Sequence, residues 1–134
     1  MAIIWDEKYS VRISIIDEQH KQFVLLMDKL SKTINVVNPK ETLSQIIKEL
    51  ERYAVYHFNT EEKYFIEFNY LGKKEHIEAH RNFVEKLEKI KEKHHNDVVM
   101  LSIELVTFMS DWLVNHVQDM DKKYIECFHE NGLY

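Results

Sequence analysis

The sequence predicts an all-α protein, an up-down-up-down bundle of four helices with an extended N-terminal arm and a short C-terminal helical segment. Three observations lead to this prediction. The 134 residues include only two glycines and one proline, so the chain has few residues that interrupt helices. Apolar residues recur at helical spacing in four separate stretches. The breaks between these stretches are short, which is typical of antiparallel neighbours in a bundle.

We expect one domain over residues 1–134, divided into an arm (1–14), a helical bundle (15–128) and a tail (129–134). A chain of this length is long enough to bury a sizeable core. The arm lacks a helical period but carries large apolar residues such as Trp5. This composition indicates extended chain that packs over the bundle, because a free tail would be more polar.

The first helix is expected over about residues 15–36. Asp17 and Glu18 lie in its first turn, where negative charge complements the helix dipole. Spacings of three and four residues define the face that we expect to be buried. This face is predicted to consist of His20, Phe23, Val24, Met27, Leu30 and Ile34.

The second helix is expected over about residues 39–65. Asn38 suits the cap, Pro39 the first helical position and Glu41 the capping box. Gly72 is expected to end this segment. The inner face is predicted to consist of Leu43, Ile46, Ile47, Leu50, Tyr53, Ala54, His57, Phe58 and Glu61.

The third helix is expected over about residues 73–93, and the fourth from about residue 96 to at least His116. A polar turn joins them, in which His94 and His95 are expected to be solvated. The stripe of the third helix is predicted to be His76, His80, Phe83, Val84, Leu87 and Ile90. That of the fourth is predicted to be Ile103, Val106, Met109, Leu113, His116 and Met120, with Trp112 beside it.

Composition excludes several classes of protein. The net charge of −5 and the lack of a Lys/Arg stripe argue against nucleic-acid binding. The single cysteine, Cys127, cannot form an internal disulfide, which favours a reducing, cytoplasmic location. The N-terminal "MAIIWDEKYS" lacks the features of a signal peptide. No apolar run approaches the roughly 20 residues of a membrane span.

Every predicted helix carries histidine within its apolar stripe. A lone histidine of this kind is usually a hydrogen-bonded core residue. Several imidazoles facing one core are harder to satisfy, since each unpaired buried polar group costs about 1–3 kcal/mol. A metal centre would satisfy them together. The five histidines concerned are His20, His57, His76, His80 and His116.

Spacing adds two carboxylates to this set. His57 and Glu61 are four residues apart, as are His76 and His80, so each pair projects from one helix face. Asp121 follows His116 by five residues, which is about 140° around a regular helix. These two side chains can share a centre only if the aspartate swings across or the helix changes course.

Seven donors are too many for one metal ion but suit two. If both carboxylates bridge and a solvent-derived oxygen joins them, five histidines divide three and two and leave one open position on the second metal. An open position is what a small ligand needs. Imidazole suits zinc, copper, iron and nickel, so the ligands alone do not name the metal. Bridging carboxylates and six-coordination favour iron over zinc.

The sequence resembles the hemerythrin family, specifically its single-domain bacterial form, bacteriohemerythrin. The match spans nearly the whole chain and includes all seven ligand positions of the family in order. Its pieces are Trp5 followed by "YSV", "IIDEQH" ending at His20, "HFNTEE" from His57, "HIEAH" from His76 and "WLVNHVQDMD" from Trp112 to Asp121. The Glu–His order of "HIEAH" differs from the zinc-protease motif HExxH.

The resemblance implies reversible O2 binding at a non-haem di-iron centre, in a protein that is not an enzyme. It places His76, His80 and His116 on one iron and His20 and His57 on the other. Glu61 and Asp121 would bridge the two irons (Fe²⁺ or Fe³⁺) together with an oxo or hydroxo group. The O2 pocket would be lined by Phe23, Phe58, Trp112 and Leu113.

Two other functions remain open from the sequence. One is a di-iron reductase or peroxidase that acts on nitric oxide or peroxide, and the other is an oxygen- or iron-sensing module. An O2 carrier would deliver to an oxygen-consuming enzyme as its partner. Glu62 is expected to be a surface charge, whereas Tyr124 suits either the core or a hydrogen bond to a ligand.

Overall fold

A computed structural model describes residues 3–134; Met1 and Ala2 of the predicted arm, and the side chain of Ile34, lie outside the described residues. The described chain is helical and contains no strand. Four main helices are present: α1 (Ser14–Ser31), α2 (Pro39–Glu67), α3 (Lys73–Lys93) and α4 (Val98–Trp112). The helical path continues through a π-helical segment (Leu113–Met120), a 3₁₀ turn (Asp121–Tyr124) and α5 (Ile125–Glu130). The predicted all-α bundle is confirmed.

Each main helix packs against its two neighbours. α1 contacts α2 and α4, and α3 contacts the same two helices from the opposite side. Short connections join the helices in chain order, as in a bundle whose neighbours run antiparallel. The four helices therefore enclose a central space on all sides.

The buried apolar residues form two clusters, one toward each end of the bundle. The larger includes Phe23, Phe58 and Phe83, and the smaller includes Ile16 and Phe65. On α1, His20 lies between Ile16 of the smaller cluster and Phe23 of the larger one. On α2, Glu61 likewise lies between Phe58 of the larger cluster and Phe65 of the smaller one, so on these helices polar side chains separate the two apolar clusters.

The N-terminal arm is fixed to the bundle. Val11 and Ile13 are fully buried in the smaller cluster. Asp17 Oδ1 accepts a hydrogen bond from the Val11 backbone N–H at 2.8 Å, and its Oδ2 accepts one from Ser10 Oγ at 2.6 Å. The acidic first turn of α1 therefore anchors the arm in addition to facing the helix dipole.

The ends of α1 and α2 differ from the predictions. α1 ends at Ser31, five residues earlier than expected, and a 3₁₀ turn at Thr33–Asn35 follows. The capping box at Asn38 is wrong, since the Asn38 side chain makes no cap hydrogen bond. Asp97, by contrast, caps α4: its side chain accepts a hydrogen bond from the Met100 N–H at 3.1 Å.

The end of α2 is set by Asn69 instead of Gly72. Asn69 adopts a left-handed conformation with φ of 51°. Its N–H donates to the Ile66 carbonyl at 3.2 Å, and the Tyr70 N–H donates to the Phe65 carbonyl at 2.9 Å. This pair of bonds is a Schellman motif, in which asparagine can replace the usual glycine. Gly72 lies at the start of α3.

Three predicted positions were wrong in burial or solvation. Val84 and Ile103 are 46% and 51% exposed. The buried face of α4 includes Leu101 and Leu105. The prediction chose another face because α4 is apolar around most of its circumference, and its sequence is compatible with more than one buried stripe. His94 is only half-buried and pairs with Glu104 on α4, whereas His95 is exposed as expected.

By length and composition, the helical run Val98–Glu130 could cross a membrane, with 33% of its most apolar window buried inside the fold. This is a weak indication, since the core helix of a soluble protein passes the same test. The expectation of no membrane span stays a prediction.

Candidate metal centre

The structure brings all seven predicted donors together in the middle of the bundle. None of them is more than 4% exposed, so the cluster is shielded from solvent. The donors come from all four helical stretches: His20 from α1, His57 and Glu61 from α2, His76 and His80 from α3, and His116 and Asp121 from the stretch after α4.

The seven donors fall into two groups that share Glu61. In each group, one donor atom per residue lies within 4.8 Å of every other. The first group holds three histidines and the second holds two. Their members are Glu61, His76, His80 and His116 in one, and His20, His57, Glu61 and Asp121 in the other.

Asp121 touches both groups through different oxygens. Its Oδ1 lies 2.9 Å from the Nε2 atoms of both His76 and His116. Its Oδ2 lies 3.0 Å from His20 Nε2. A carboxylate placed in this way can give one oxygen to each of two metal ions.

Glu61 also faces both groups, through a single oxygen. Its Oε1 is 3.0 Å from His80 Nε2 and 3.3 Å from His57 Nε2. Its Oε2 accepts a hydrogen bond from the Tyr124 hydroxyl at 2.5 Å. Tyr124 is fully buried, so it is both a core residue and a hydrogen-bond donor to this carboxylate.

The π-helical segment explains how Asp121 reaches the same centre as His116. In a π-helix the backbone hydrogen bond joins residues five apart. The Asp121 N–H makes this bond to the His116 carbonyl. Five residues then amount to about one turn, and the two side chains project to the same side. The helix therefore changes course at the position where a regular helix would separate them.

The atoms of the cluster fit a metal pair better than they fit one another. Close approaches of 2.9–3.0 Å occur between imidazoles and carboxylates, yet the facing atoms lack hydrogen-bond geometry. Each such buried atom would cost about 1–3 kcal/mol if nothing satisfied it. The unsatisfied atoms are Nδ1 and Nε2 of His20 and His76, Nε2 of His80 and His116, Oε1 of Glu61 and both carboxylate oxygens of Asp121.

Electrostatics favour the ionised form of both carboxylates and the neutral form of His57, which are the forms that bind metals, whereas His80 is shifted toward its protonated form. Burial and mutual repulsion oppose the charges of Glu61 and Asp121, but the surrounding histidines outweigh them and hold the pKa of both carboxyls below the usual range. Burial also lowers the pKa of His57. Burial opposes a charge on His80, yet the neighbouring Glu61 and Glu62 raise its pKa to about 9. Two buried carboxylates are costly unless positive charges, such as those of metal ions, lie beside them.

Two partners of the histidines were missed from the sequence. Gln19 Oε1 accepts a hydrogen bond from His57 Nδ1 at 2.6 Å. Glu62 Oε2 lies 2.8 Å from His80 Nδ1, so the expectation that Glu62 is a surface charge is wrong. A histidine that binds metal through one nitrogen needs an acceptor for the other. Polar neighbours of the predicted ligands were therefore the signal that could have found them.

Aromatic rings cover the histidines. Phe58 stacks on His80 with ring centroids 3.9 Å apart, and Trp112 stacks on His116 at 3.8 Å. Among the other predicted pocket residues, Phe23 is fully buried and Leu113 is 4% exposed.

Tyr53 is a further aromatic residue that covers a histidine of the cluster. Its ring stacks on His57 at 5.2 Å, and it contacts Phe23 at 5.6 Å. Tyr53 thus covers the two-histidine group and Trp112 the three-histidine group, while Phe58 contacts histidines of both.

Comparison with known proteins adds the family. The model of the hemerythrin HHE cation binding domain matches residues 11–128. The chain belongs to the hemerythrin family. Bacteriohemerythrin from Clostridium acetobutylicum is 28% identical over 92% of this chain and 98% of its own length. A hemerythrin-like protein from Naegleria gruberi is 30% identical over 90% of this chain and 88% of its own.

Solved structures agree with this assignment. A crystal structure of a hemerythrin mutant superposes with a TM-score of 0.83 at 26% identity, and it covers 95% of this hemerythrin and 98% of the solved chain. The family and the histidine–carboxylate cluster together make the chain a di-iron hemerythrin-type protein.

Proposed function

We propose that this hemerythrin binds O2 reversibly at its di-iron centre, for storage, transport or delivery to oxygen-requiring enzymes. The unequal division of the histidines is the observation that carries the proposal. Three imidazoles face one side of the two carboxylates and two face the other. If both carboxylates and an oxo or hydroxo group bridged two irons, one position would stay open, beside His20 and His57.

The ligand roles follow the two groups. His76, His80 and His116 would hold the iron without an open position. His20 and His57 would hold the iron that takes O2. Glu61 and Asp121 would bridge the two irons, because each lies against histidines of both groups.

Residues of the chain create the conditions for reversible binding. A bound pair of irons would supply the two electrons that reversible O2 binding requires. The apolar walls of Phe23, Phe58, Trp112 and Leu113 exclude the water and protons that would make the transfer irreversible. Tyr124 holds Glu61 through a buried hydrogen bond and thereby fixes one bridge.

Similarity supports the same proposal. The bacteriohemerythrin from Clostridium acetobutylicum matches over 98% of its own length. The hemerythrin-like protein from Naegleria gruberi matches over 88% of its own length. We further propose a carrier with no catalytic activity of its own in a reducing, cytoplasmic compartment. The lone Cys127 is consistent with such a compartment.

Metal analysis combined with anaerobic O2 titration tests the proposal. We expect two irons per chain and a visible charge-transfer band that appears with O2 and disappears under argon. The zinc-loaded protein is the matched control and should show no band. Irreversible oxidation after the first exposure would contradict reversible binding.

A di-iron reductase or peroxidase for nitric oxide or peroxide is the second candidate. One observation favours it: a surface cleft of about 340 Å³, lined by Trp112, Asn115 and His116 among others, brings solvent to the edge of the cluster. The cleft reaches the three-histidine group at His116, where it would give the centre access to the protons that a reductase or peroxidase needs. Rapid turnover of peroxide or nitric oxide with an electron donor would favour this candidate over the carrier.

A further inference from the structure

The outer nitrogens of the candidate ligands have unequal partners. His57 Nδ1 donates to the neutral amide of Gln19 at 2.6 Å, whereas His80 Nδ1 faces the carboxylate of Glu62 at 2.8 Å. The Nδ1 atoms of His20 and His76 have no hydrogen-bond partner. Each histidine group thus has one member with a side-chain acceptor at Nδ1, and only the acceptor in the three-histidine group carries a charge.

Glu62 is placed to act on His80 alone. Its side chain is 28% exposed, while the His80 ring is 3% exposed, so the bond lies at the boundary of the buried layer. Within the described residues, His80 is the only ion-pair partner of Glu62. In the part of the chain that the structure describes, no lysine or arginine forms an ion pair with this carboxylate, so its negative charge acts on the imidazole.

We propose that Glu62 is a positioning residue that orients His80 and, through its negative charge, stabilises ferric over ferrous iron on the three-histidine side. The proposal rests on the ligand role of His80 stated under the proposed function, and it is independent of O2 binding.

A carboxylate that accepts the Nδ1 proton draws it away from the ring. The electron density and basicity of Nε2 rise, which strengthens the bond to a cation. Charge-assisted hydrogen bonds of this kind are roughly twice as strong as neutral ones. The bond from Nε2 to a triply charged ion is strengthened more than the bond to a doubly charged ion. Gln19 orients His57 with little of the charge effect, so two bound irons would differ in environment as well as in histidine number.

The replacement Glu62→Gln tests the charge, because it keeps the length and an acceptor oxygen. Loss of an outer partner typically lowers metal affinity about 10–100-fold. If the loss is tenfold for ferric and absent for ferrous iron, the midpoint potential rises by about 59 mV for a one-electron step. We expect this rise in spectroelectrochemistry, together with faster loss of ferric iron to a chelator.

Three further variants define the controls. Glu78→Gln on α3 makes the same charge change at a carboxylate that is 54% exposed and bonded to Arg81, and it should leave the potential unchanged. Gln19→Glu should lower the potential, since it adds a charge at His57. Glu62→Asp keeps the charge and should retain most of the wild-type potential. Circular dichroism of each variant checks that the bundle is intact.

Equal potentials for Glu62→Gln and Glu78→Gln would overturn the proposal and make Glu62 an ordinary surface charge. Equal shifts for Glu62→Asp and Glu62→Gln would overturn the argument from charge. If the wild type binds two irons without reversible O2 uptake, the proposed function fails while this test still stands. If the wild type binds no iron, both fail.

Discussion

The buried hydrogen bond between Tyr124 and Glu61 offers a sharp test of how the centre is held. The replacement Tyr124→Phe removes one hydroxyl and leaves the ring, which stacks on Phe128 with centroids 4.3 Å apart. No cavity larger than an oxygen atom results. The change therefore isolates the 2.5 Å bond to Glu61 Oε2 from the apolar contacts of the ring.

A hydrogen bond to a charged group contributes about 1.5–3 kcal/mol to stability. Tyr124 is fully buried, so water cannot replace the lost donor. For 134 residues the unfolding entropy is about 0.28 kcal/mol/K, and the expected loss corresponds to a fall in Tm of about 5–11 °C. The Glu61 bridge should also become less well oriented, and iron should be lost to a chelator more rapidly.

Thermal and urea unfolding of the iron-loaded, reduced protein under argon would measure this loss at a fixed iron concentration. Tyr56→Phe on the outer face of α2 is the matched control: its side chain is 64% exposed, and its stability should equal that of the wild type. A Tyr124→Phe variant as stable as the Tyr56→Phe control, with the same rate of iron loss, would refute the reasoning.

Further outcomes follow from other contacts. Glu61→Ala removes a proposed bridge, and metal analysis should find fewer than two irons per chain. Phe58→Ala removes the ring stacked on His80 and should lower the free energy of unfolding by about 3–5 kcal/mol, measured in urea, with faster oxidation of the iron as water enters. Asp28 has a lowered pKa because of its hydrogen bonds from Lys32 and the Ile3 N–H. Its contribution to stability is therefore complete above the unfolded pKa and is lost as the pH falls through the folded pKa, so the urea midpoints of wild type and Asp28→Asn should converge in acid.

Each of these expectations has a contrary outcome. An unchanged spectrum with two irons in Glu61→Ala would remove Glu61 from the ligand set. Phe58→Ala with the oxidation rate of the wild type would show that the ring does not protect the centre. A difference between wild type and Asp28→Asn that persists below the folded pKa would place the stabilising effect elsewhere.

Most of the fold was predictable because the apolar stripes are clear. The bounds of α3, Lys73–Lys93, match the prediction, since Gly72 precedes the helix and the polar residues His94–Asp97 follow it. The early end of α1 was missed because apolar residues continue past Ser31 at spacings that a helix would also show. On α4, Ile103 was misplaced because apolar residues cover more than one face.

The candidate site was predictable in its members and less so in its connections. The spacing of His57 and Glu61 indicates one helix face directly. The joint use of His116 and Asp121 depends on the π-helical segment, whose hydrogen-bond register is selected by tertiary contacts that the spacing does not show. The bond between Glu62 and His80 joins residues on two helices, so the sequence could mark Glu62 as a polar neighbour of Glu61 but could not name His80 as its partner.

The polar layer between the two apolar clusters has a consequence for how the molecule unfolds. Each cluster is a separate apolar core, and the seven candidate ligands lie between the two cores. Iron would join these cores into one cooperative unit, since metal binding is coupled to folding. Removal of the iron would leave the two cores only weakly coupled across the middle of the bundle. Hydrogen exchange of the metal-depleted protein should then show two ends that open independently, where the loaded protein opens as a whole.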